Sequence, residues 1–322
     1  MRAIQISEFG GPEVLRVAEV DEPTAPEGHV LVDVEFAGLN YADTHQTENS
    51  YLQPQRLPMI PGAEVVGRTE DGRRVVALLA GGGGYAEKAV AHRSVVFDVP
   101  DEVEDVTALA LVLQGTTAWH LLRTSARLCP RDSVVVHAAG GGVGTLAVQL
   151  AERFGAGRVI ATASSQEKRD LALRLGADVA VDVSTATSAE QVRDVLVEAN
   201  GGDGVDVVLE MTGGVVHDGS LAALAPFGRM VVYGMAGREA PQPVRTSDLV
   251  TRSASLIGFW LVNAMRLPGG LGQVMEELLA LAATGGLRAV NGGRYPLDRA
   301  GEAHQALRSR GTVGKLVLDV RS

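Results

Sequence analysis

Strand and helix signals alternate through the middle of this chain. They are preceded by a strand-rich third and followed by a stretch that breaks the alternation. The fold class predicted is α/β, with a doubly wound parallel-sheet unit inserted into a β-rich domain. Three observations predict it. Ser133–Ala139, Arg158–Ala163, Asp178–Val183, Val205–Met211 and Arg229–Tyr233 are short apolar runs with helical stretches between them, the rhythm of a parallel sheet covered on both faces. Ahead of them Val30, Val32, Val34 and Phe36 alternate with other residues, the period of a half-buried strand. After them Leu271–Ala283 and Asp298–Arg310 read as helices and Lys315–Val320 as a closing strand that rejoins the first domain. The expected division is 1–117 with 256–322 for the outer domain and 118–255 for the inserted one.

Taken in order, Val75–Leu79 and Ala89–Val99 are further strand candidates, separated by glycine and charged turns. Residues 49–62 carry Pro54, Pro58, Pro61 and Gly62 and must form an irregular loop. In the middle third, Val143–Phe154 has helical spacing at Leu146, Leu150 and Phe154, and Gln166–Leu175 is a helix stopped by Gly176. Ser188 with Gln191 predicts a capping box before Val192, Val195, Leu196 and Ala199. No internal repeat or low-complexity segment is present.

Composition excludes several classes. A length of 322 residues fits two domains, or one large α/β unit with an elaboration, and allows a sizeable core. The single Cys129 cannot form an internal disulfide, so nothing points to an oxidising compartment, and a cysteine-rich zinc site is ruled out. The net charge of −10 argues against affinity for nucleic acid or anionic membranes. Aromatic residues at 4% leave few platforms for stacked bases. The opening MRAIQISEFGGPEVL lacks the basic start and apolar core of a signal peptide, and no run approaches a membrane span. The expectation is a soluble cytoplasmic protein.

The sharpest local signal is Ala138-Ala139-Gly140-Gly141-Gly142-Val143-Gly144. It follows a strand and opens a helix, the context a dinucleotide-binding loop requires, with Ala139, Gly141 and Gly144 at the three glycine positions. Small residues let the backbone approach a pyrophosphate, and the helix N-terminus offers free N–H groups. A tight strand–helix turn alone would have the same look. Past the second strand, where an NAD site normally presents a carboxylate to the ribose, the chain reads Ala163-Ser164-Ser165-Gln166-Glu167-Lys168. Two hydroxyls and a cation suit a 2′-phosphate, favouring NADPH. The other reading is that Ser164 or Ser165 caps the next helix and Lys168 is solvated, and Glu167 opposes an anion.

Seven segments in one order complete the pattern: Phe9–Leu15, Gly38-Leu39-Asn40-Tyr41-Ala42-Asp43, Pro61-Gly62-Ala63-Glu64, Gly84-Tyr85-Ala86-Glu87, Gln114-Gly115-Thr116-Thr117-Ala118, the glycine loop, and Thr312–Leu318. On these the chain resembles, end to end, the zinc-independent quinone oxidoreductases of the medium-chain dehydrogenase/reductase superfamily. The resemblance implies a GroES-like catalytic domain with an inserted Rossmann domain, a cofactor in the cleft between them, and a homodimer. Zinc-dependent relatives place a cysteine where this chain has Asn40 and a Gly-His-Glu where it has Gly62-Ala63-Glu64. Alanine cannot ligate, and the seven histidines are dispersed without ligand spacing, so no metal is expected.

By carry-over, Asn40, Asp43 and Tyr51 line the substrate side, and Thr117 approaches the nicotinamide. Asn40 also fits a turn residue, and Tyr51 a loop anchor. Cofactor contacts are expected at Gly141, Gly142, Val143, Gly144, Ser164, Ser165, Lys168 and Gly213. Arg310 matches an arginine that some relatives aim at the 2′-phosphate. The chain departs from the family at Val183, where many members have a tyrosine near the adenosine, and at His45, where some bacterial members have a tyrosine. The implied activity is NADPH-dependent reduction of a quinone or related conjugated carbonyl. An enoyl or enone reductase is the alternative within the same class, and a non-catalytic NADPH-binding protein the alternative outside it. Trp260 is expected at the acceptor pocket, the dimer seam or the core.

Overall fold

The alternation at residues 30–36 develops into the longest strand of the molecule, and its neighbours follow from it. In the computed structural model, which describes residues 1–322, β1 (Arg2–Gln5) and β2 (Arg16–Glu19) form an antiparallel ribbon. β3 (His29–Leu39) buries Val32, Val34, Ala37 and Leu39 and runs into α1 (Tyr41–Thr47). β4 (Glu64–Thr69), β5 (Arg74–Leu78), β6 (Lys88–His92) and β7 (Val96–Asp98) add to the same sheet with antiparallel pairing. The apolar run 89–99 is therefore two strands. A 3₁₀ turn at Arg93–Val95, with the His92 ring accepting from the Ser94 N–H, separates them. α2 (Asp105–Ala110) follows.

The inserted unit is Thr117–Ala264. After α3 (Thr116–His120) come β8 (Ser133–Val136), α4 (Gly142–Arg153), β9 (Arg158–Thr162), α5 (Gln166–Arg174), β10 (Val179–Val181) and α6 (Ala189–Ala199). Then follow β11 (Val205–Glu210), α7 (Gly214–Ala223), β12 (Leu224–Val232), α8 (Thr246–Val250), β13 (Ser255–Gly258) and α9 (Leu261–Ala264). The six strands are parallel in the order β10-β9-β8-β11-β12-β13. That is the doubly wound Rossmann order, with its switch point between β8 and β11, where ligands bind at the carboxyl ends of the strands. The capping box at Ser188 forms by half. Ser188 Oγ accepts from the Gln191 N–H at 3.4 Å, but the Gln191 amide returns to the N–H of Thr187 at 2.8 Å.

The rest of the chain, Met265–Ser322, belongs with Met1–Thr116. It supplies α10 (Gly272–Ala283), β14 (Asn291–Pro296), α11 (Ala300–Arg308) and β15 (Lys315–Asp319), and β15 lies between β14 and β3 in the seven-stranded sheet. The closing strand thus enters the first domain's sheet, as the sequence predicts. The return point differs from the expected 255/256. β13 pairs with β12 from Arg229↔Ser255 to Val232↔Gly258, which holds residues 256–264 in the inserted unit. Thr117 likewise opens that unit and does not close the first one. No helix is long and apolar enough to cross a membrane.

Candidate functional site

In the Rossmann unit the glycine loop joins β8 to α4 at the switch point. Ala138 turns the chain with φ +50°, the Gly141 N–H returns to the Ala138 carbonyl at 2.9 Å, and the Ala139 N–H reaches Thr162 O at 3.0 Å. A Cβ on Gly144 would sit 2.3 Å from that same carbonyl and 2.7 Å from Ala139 Cα, so only glycine lets α4 pack this close to the loop. Gly141 is the N-cap and offers no side chain. The first N–H groups of the helix are therefore unserved by any cap, the arrangement an anionic group requires. The aliphatic stem of Lys168 lies over Gly140, where an added Cβ would meet its Cγ at 2.9 Å. Burial holds the Lys168 ammonium below its ordinary range, against the pull of Glu167.

Ser164 and Ser165 are exposed at the end of β9. Ser165 does cap α5, accepting from the Lys168 N–H at 3.3 Å, which leaves its own O–H to donate. Across the switch point, Gly213 opens α7 with φ +86°. Its turn is held by Glu210, a fully buried carboxylate at the end of β11 whose Oε1 accepts from Thr212 N and Gly213 N at 2.5 and 3.0 Å. Burial pushes this carboxyl up. An acid closing the apolar run Val205–Leu209 is the signal that could have singled it out. Thr117 is buried, and Val183 packs into the Rossmann core beside Val135 and Ile160.

The catalytic-domain residues converge on one buried network. Asn40 ends β3 and begins α1, and its side chain is 6% exposed. Its Nδ2 donates to Glu64 Oε1 at 2.8 Å, and its Oδ1 accepts from Gln114 Nε2 at 2.9 Å and Lys315 Nζ at 3.4 Å. Lys315 is ion-paired to Glu64 and also donates to the Leu39 carbonyl at 3.2 Å. Burial pushes the Glu64 carboxyl up, and the Lys315 ammonium pulls it back. On the other side of Asn40, Asp43 Oδ2 accepts from the Asn40 N–H at 2.8 Å and from Tyr85 Oη at 2.9 Å, and Tyr85 meets His304 Nε2 at 3.1 Å. Burial raises Asp43 to about 7 and lowers His304 to about 4. Two motif glycines make room: a Cβ on Gly38 would strike Glu64 Oε1 at 2.3 Å, and one on Gly62 would strike the Tyr85 ring at 2.4 Å.

Residues of five sequence segments thus meet in one place: Asn40 and Asp43, Glu64, Tyr85, Gln114, and Lys315. The first family model that matches is "Alcohol dehydrogenase GroES-like domain", over residues 26–101, and the second is "Zinc-binding dehydrogenase", over residues 142–290. A quinone oxidoreductase of Lama guanicoe is 34% identical over 330 aligned positions, spanning 99% of this chain and 97% of that protein. The chain belongs to the quinone oxidoreductase family of the medium-chain dehydrogenases/reductases. A mycobacterial protein solved with NADPH superposes with TM-score 0.92 at 35% identity, over 99% of this chain and 100% of that one. The Thermus thermophilus quinone oxidoreductase, also solved with NADPH, gives 0.84 at 36%, over 99% and 100%.

The residues at the positions where zinc-dependent relatives place their ligands do not fit a metal ion. The position of the first ligand holds an amide whose oxygen already takes two donors, Ala63 has no donor atom, and Glu64 is engaged by an ammonium. No group of three or more His, Cys, Asp or Glu side chains is arranged to hold a metal ion. A dinucleotide fits by contrast, because the uncapped start of α4 and the side-chain-free loop leave N–H groups for a phosphate.

Asp43 is 0% exposed and anchors the Asn40 turn by accepting from the Asn40 N–H. Tyr51 is part-exposed in the proline-containing region, and His45 is part-exposed in the last turn of α1 with its Nδ1 3.0 Å from Ser50 Oγ. Trp260 is part-exposed too, outside the buried core, and Arg310 is exposed with φ +55°. Glu64, Tyr85, Gln114 and Lys315 lie inside the seven sequence segments, which signal their presence and not their contacts, and His304 lies outside them.

Proposed function

We propose that this chain is an NADPH-dependent quinone oxidoreductase that reduces a quinone or a related conjugated carbonyl without a metal ion. The observation that carries the cofactor choice is the end of β9, where the exposed Ser164 and Ser165 follow the strand, the stem of Lys168 lies over Gly140 of the glycine loop and no carboxylate ends the strand. The NADPH-bound relatives support the same choice. When bound, the cofactor supplies a hydride, which with one proton takes a quinone to a hydroquinone.

The chain's own residues bind and orient. Gly141, Gly142, Val143 and Gly144 offer backbone N–H groups and the α4 dipole to the pyrophosphate. Ser164, Ser165 and Lys168 hold the 2′-phosphate, with Arg310 in reserve. Gly213 keeps the second crossover free of side chain, and Thr117 faces the nicotinamide. Asn40 and Tyr51 meet the acceptor, and Asp43 fixes Asn40. A hydrogen-bond donor near an oxygen that gains charge lowers the barrier more than it tightens substrate binding. The reading includes a homodimer in the cytoplasm. Fluorescence titration with NADPH and NADH tests it directly: NADPH is expected to bind more tightly, and equal affinities, or none, would remove the cofactor assignment.

A further inference from the structure

The polarity of the Asn40 network is forced by the groups at its ends. An ammonium can only donate and a carboxylate can only accept. Lys315 Nζ near Asn40 Oδ1 and Glu64 Oε1 near Asn40 Nδ2 therefore fix which end of the amide is which. Gln114 follows suit. Its Nε2 must donate to the same Oδ1, and its own Oε1 is left buried without a partner. An asparagine side chain has two acceptor lone pairs and two donor hydrogens. Both lone pairs and one hydrogen are used here, so the single polar capacity left on Asn40 is one N–H. A buried ion pair contributes little net stability over an apolar pair of the same volume, and its best-attested service is to specify one arrangement.

We infer that Lys315, with Gln114 and Glu64, is a positioning set that holds the Asn40 carboxamide in one of its two end-over-end orientations and so keeps its spare N–H as a donor toward the acceptor's oxygen. This rests on the quinone reductase reading. Turned end for end, the amide would present a lone pair to an oxygen gaining negative charge, which is repulsive. Lys315 acts through Asn40 and touches no reactant. The side-chain partners of Asn40 lie on three other stretches of chain, at Glu64, Gln114 and Lys315, so the orientation is set by the folded domain and not by the local turn alone.

The test is a double-mutant cycle in the full-length protein with 1,4-benzoquinone as acceptor. Glu64→Gln combined with Lys315→Met replaces the ion pair by neutral groups of similar size, and Gln114→Met removes the second donor. Each is expected to lower kcat about tenfold, with the NADPH dissociation constant within about twofold of wild type. In an Asn40→Ala background the same changes are expected to cost nothing further, because residues acting through one group are not additive. Losses that add fully to that of Asn40→Ala, or an unchanged kcat, would overturn the proposal. If the double variant fails to fold, Gln114→Met carries the same cycle. A second arm needs no turnover: in ¹⁵N-labelled protein the Asn40 carboxamide, assigned by its loss in Asn40→Ala, is expected to give one set of resonances in wild type and exchange-broadened or doubled ones in the variants. One unchanged set throughout contradicts the positioning role. A wild type inert toward quinones would sink the reductase reading, and the resonances would then decide the orientation claim alone.

Discussion

Asp43 shows how one residue's burial turns into a pH dependence. Its carboxyl is raised from 3.8 to about 7 chiefly by burial, against the hydrogen bonds from the Asn40 N–H and Tyr85. The folded state therefore holds a proton that the unfolded chain releases. The stabilisation from a neutral Asp43 is full below pH 3.8 and is lost as pH rises through about 7. At about 1.4 kcal/mol per unit this amounts to about 4 kcal/mol. Glu64, Lys315, Tyr85 and His304 share the cluster, and His304, lowered to about 4, works in the opposite sense as pH falls below 6.5. The clean measurement is the stability difference between wild type and Asp43→Asn by urea denaturation at pH 4.5 and pH 8. Wild type should lose ground to the variant as pH rises, and a pH-independent difference would deny the raised carboxyl. Lys168 is the second residue-scale test. Lys168→Ala should weaken NADPH about 10- to 150-fold, the range of a hydrogen bond to a charged group, and leave NADH nearly unchanged. The effect should shrink with added salt. Equal weakening of both cofactors would leave Lys168 a packing residue over Gly140.

At the scale of elements, the β8–loop–α4 unit depends on a close approach that a single methyl group prevents. Gly144→Ala places a Cβ 2.3 Å from a backbone carbonyl that cannot rotate away. Overpacking of this kind costs about 1–3 kcal/mol, and the displaced helix end should weaken NADPH binding by at least about tenfold. Gly272→Ala at the start of α10 meets nothing within 4 Å and is the matched control, expected to shift stability by less than about 0.5 kcal/mol. Thermal melts with and without NADPH separate the two effects. This element was legible because every feature of it is local. Strand, small residues and helix follow one another within 21 residues, from Ser133 to Arg153. The half-formed box at Ser188 shows the limit of such reading. Spacing predicts which side chain reaches back, but Gln191 takes the Thr187 N–H in place of the Ser188 one.

For the molecule as a whole, the sheet order and the chain's return to the first domain follow from alternating period and the final strand, while the return point does not. β13 is a four-residue strand, and only its pairing to β12 assigns it to the inserted unit. The Asn40 network was legible only as motifs. Its contacts join residues 24, 74 and 275 positions apart, and no periodicity reports separations of that kind. The same network bears on metal content. With Asn40, Ala63 and a paired Glu64 at the ligand positions, the purified protein should contain no stoichiometric zinc by elemental analysis and keep its activity in chelator. One tightly held zinc per chain, with activity lost on its removal, would refute this.

The central claim is that this chain reduces quinones at the expense of NADPH, and steady-state loss of NADPH absorbance measures it. With 1,4-benzoquinone as acceptor and an enoyl thioester as competitor class, the account predicts turnover of the quinone, faster with NADPH than with NADH and abolished in large part by Asn40→Ala. Turnover of the enoyl thioester alone would contradict it and make the chain a carbon–carbon double-bond reductase. Absence of turnover with both would leave a protein that binds NADPH without using it.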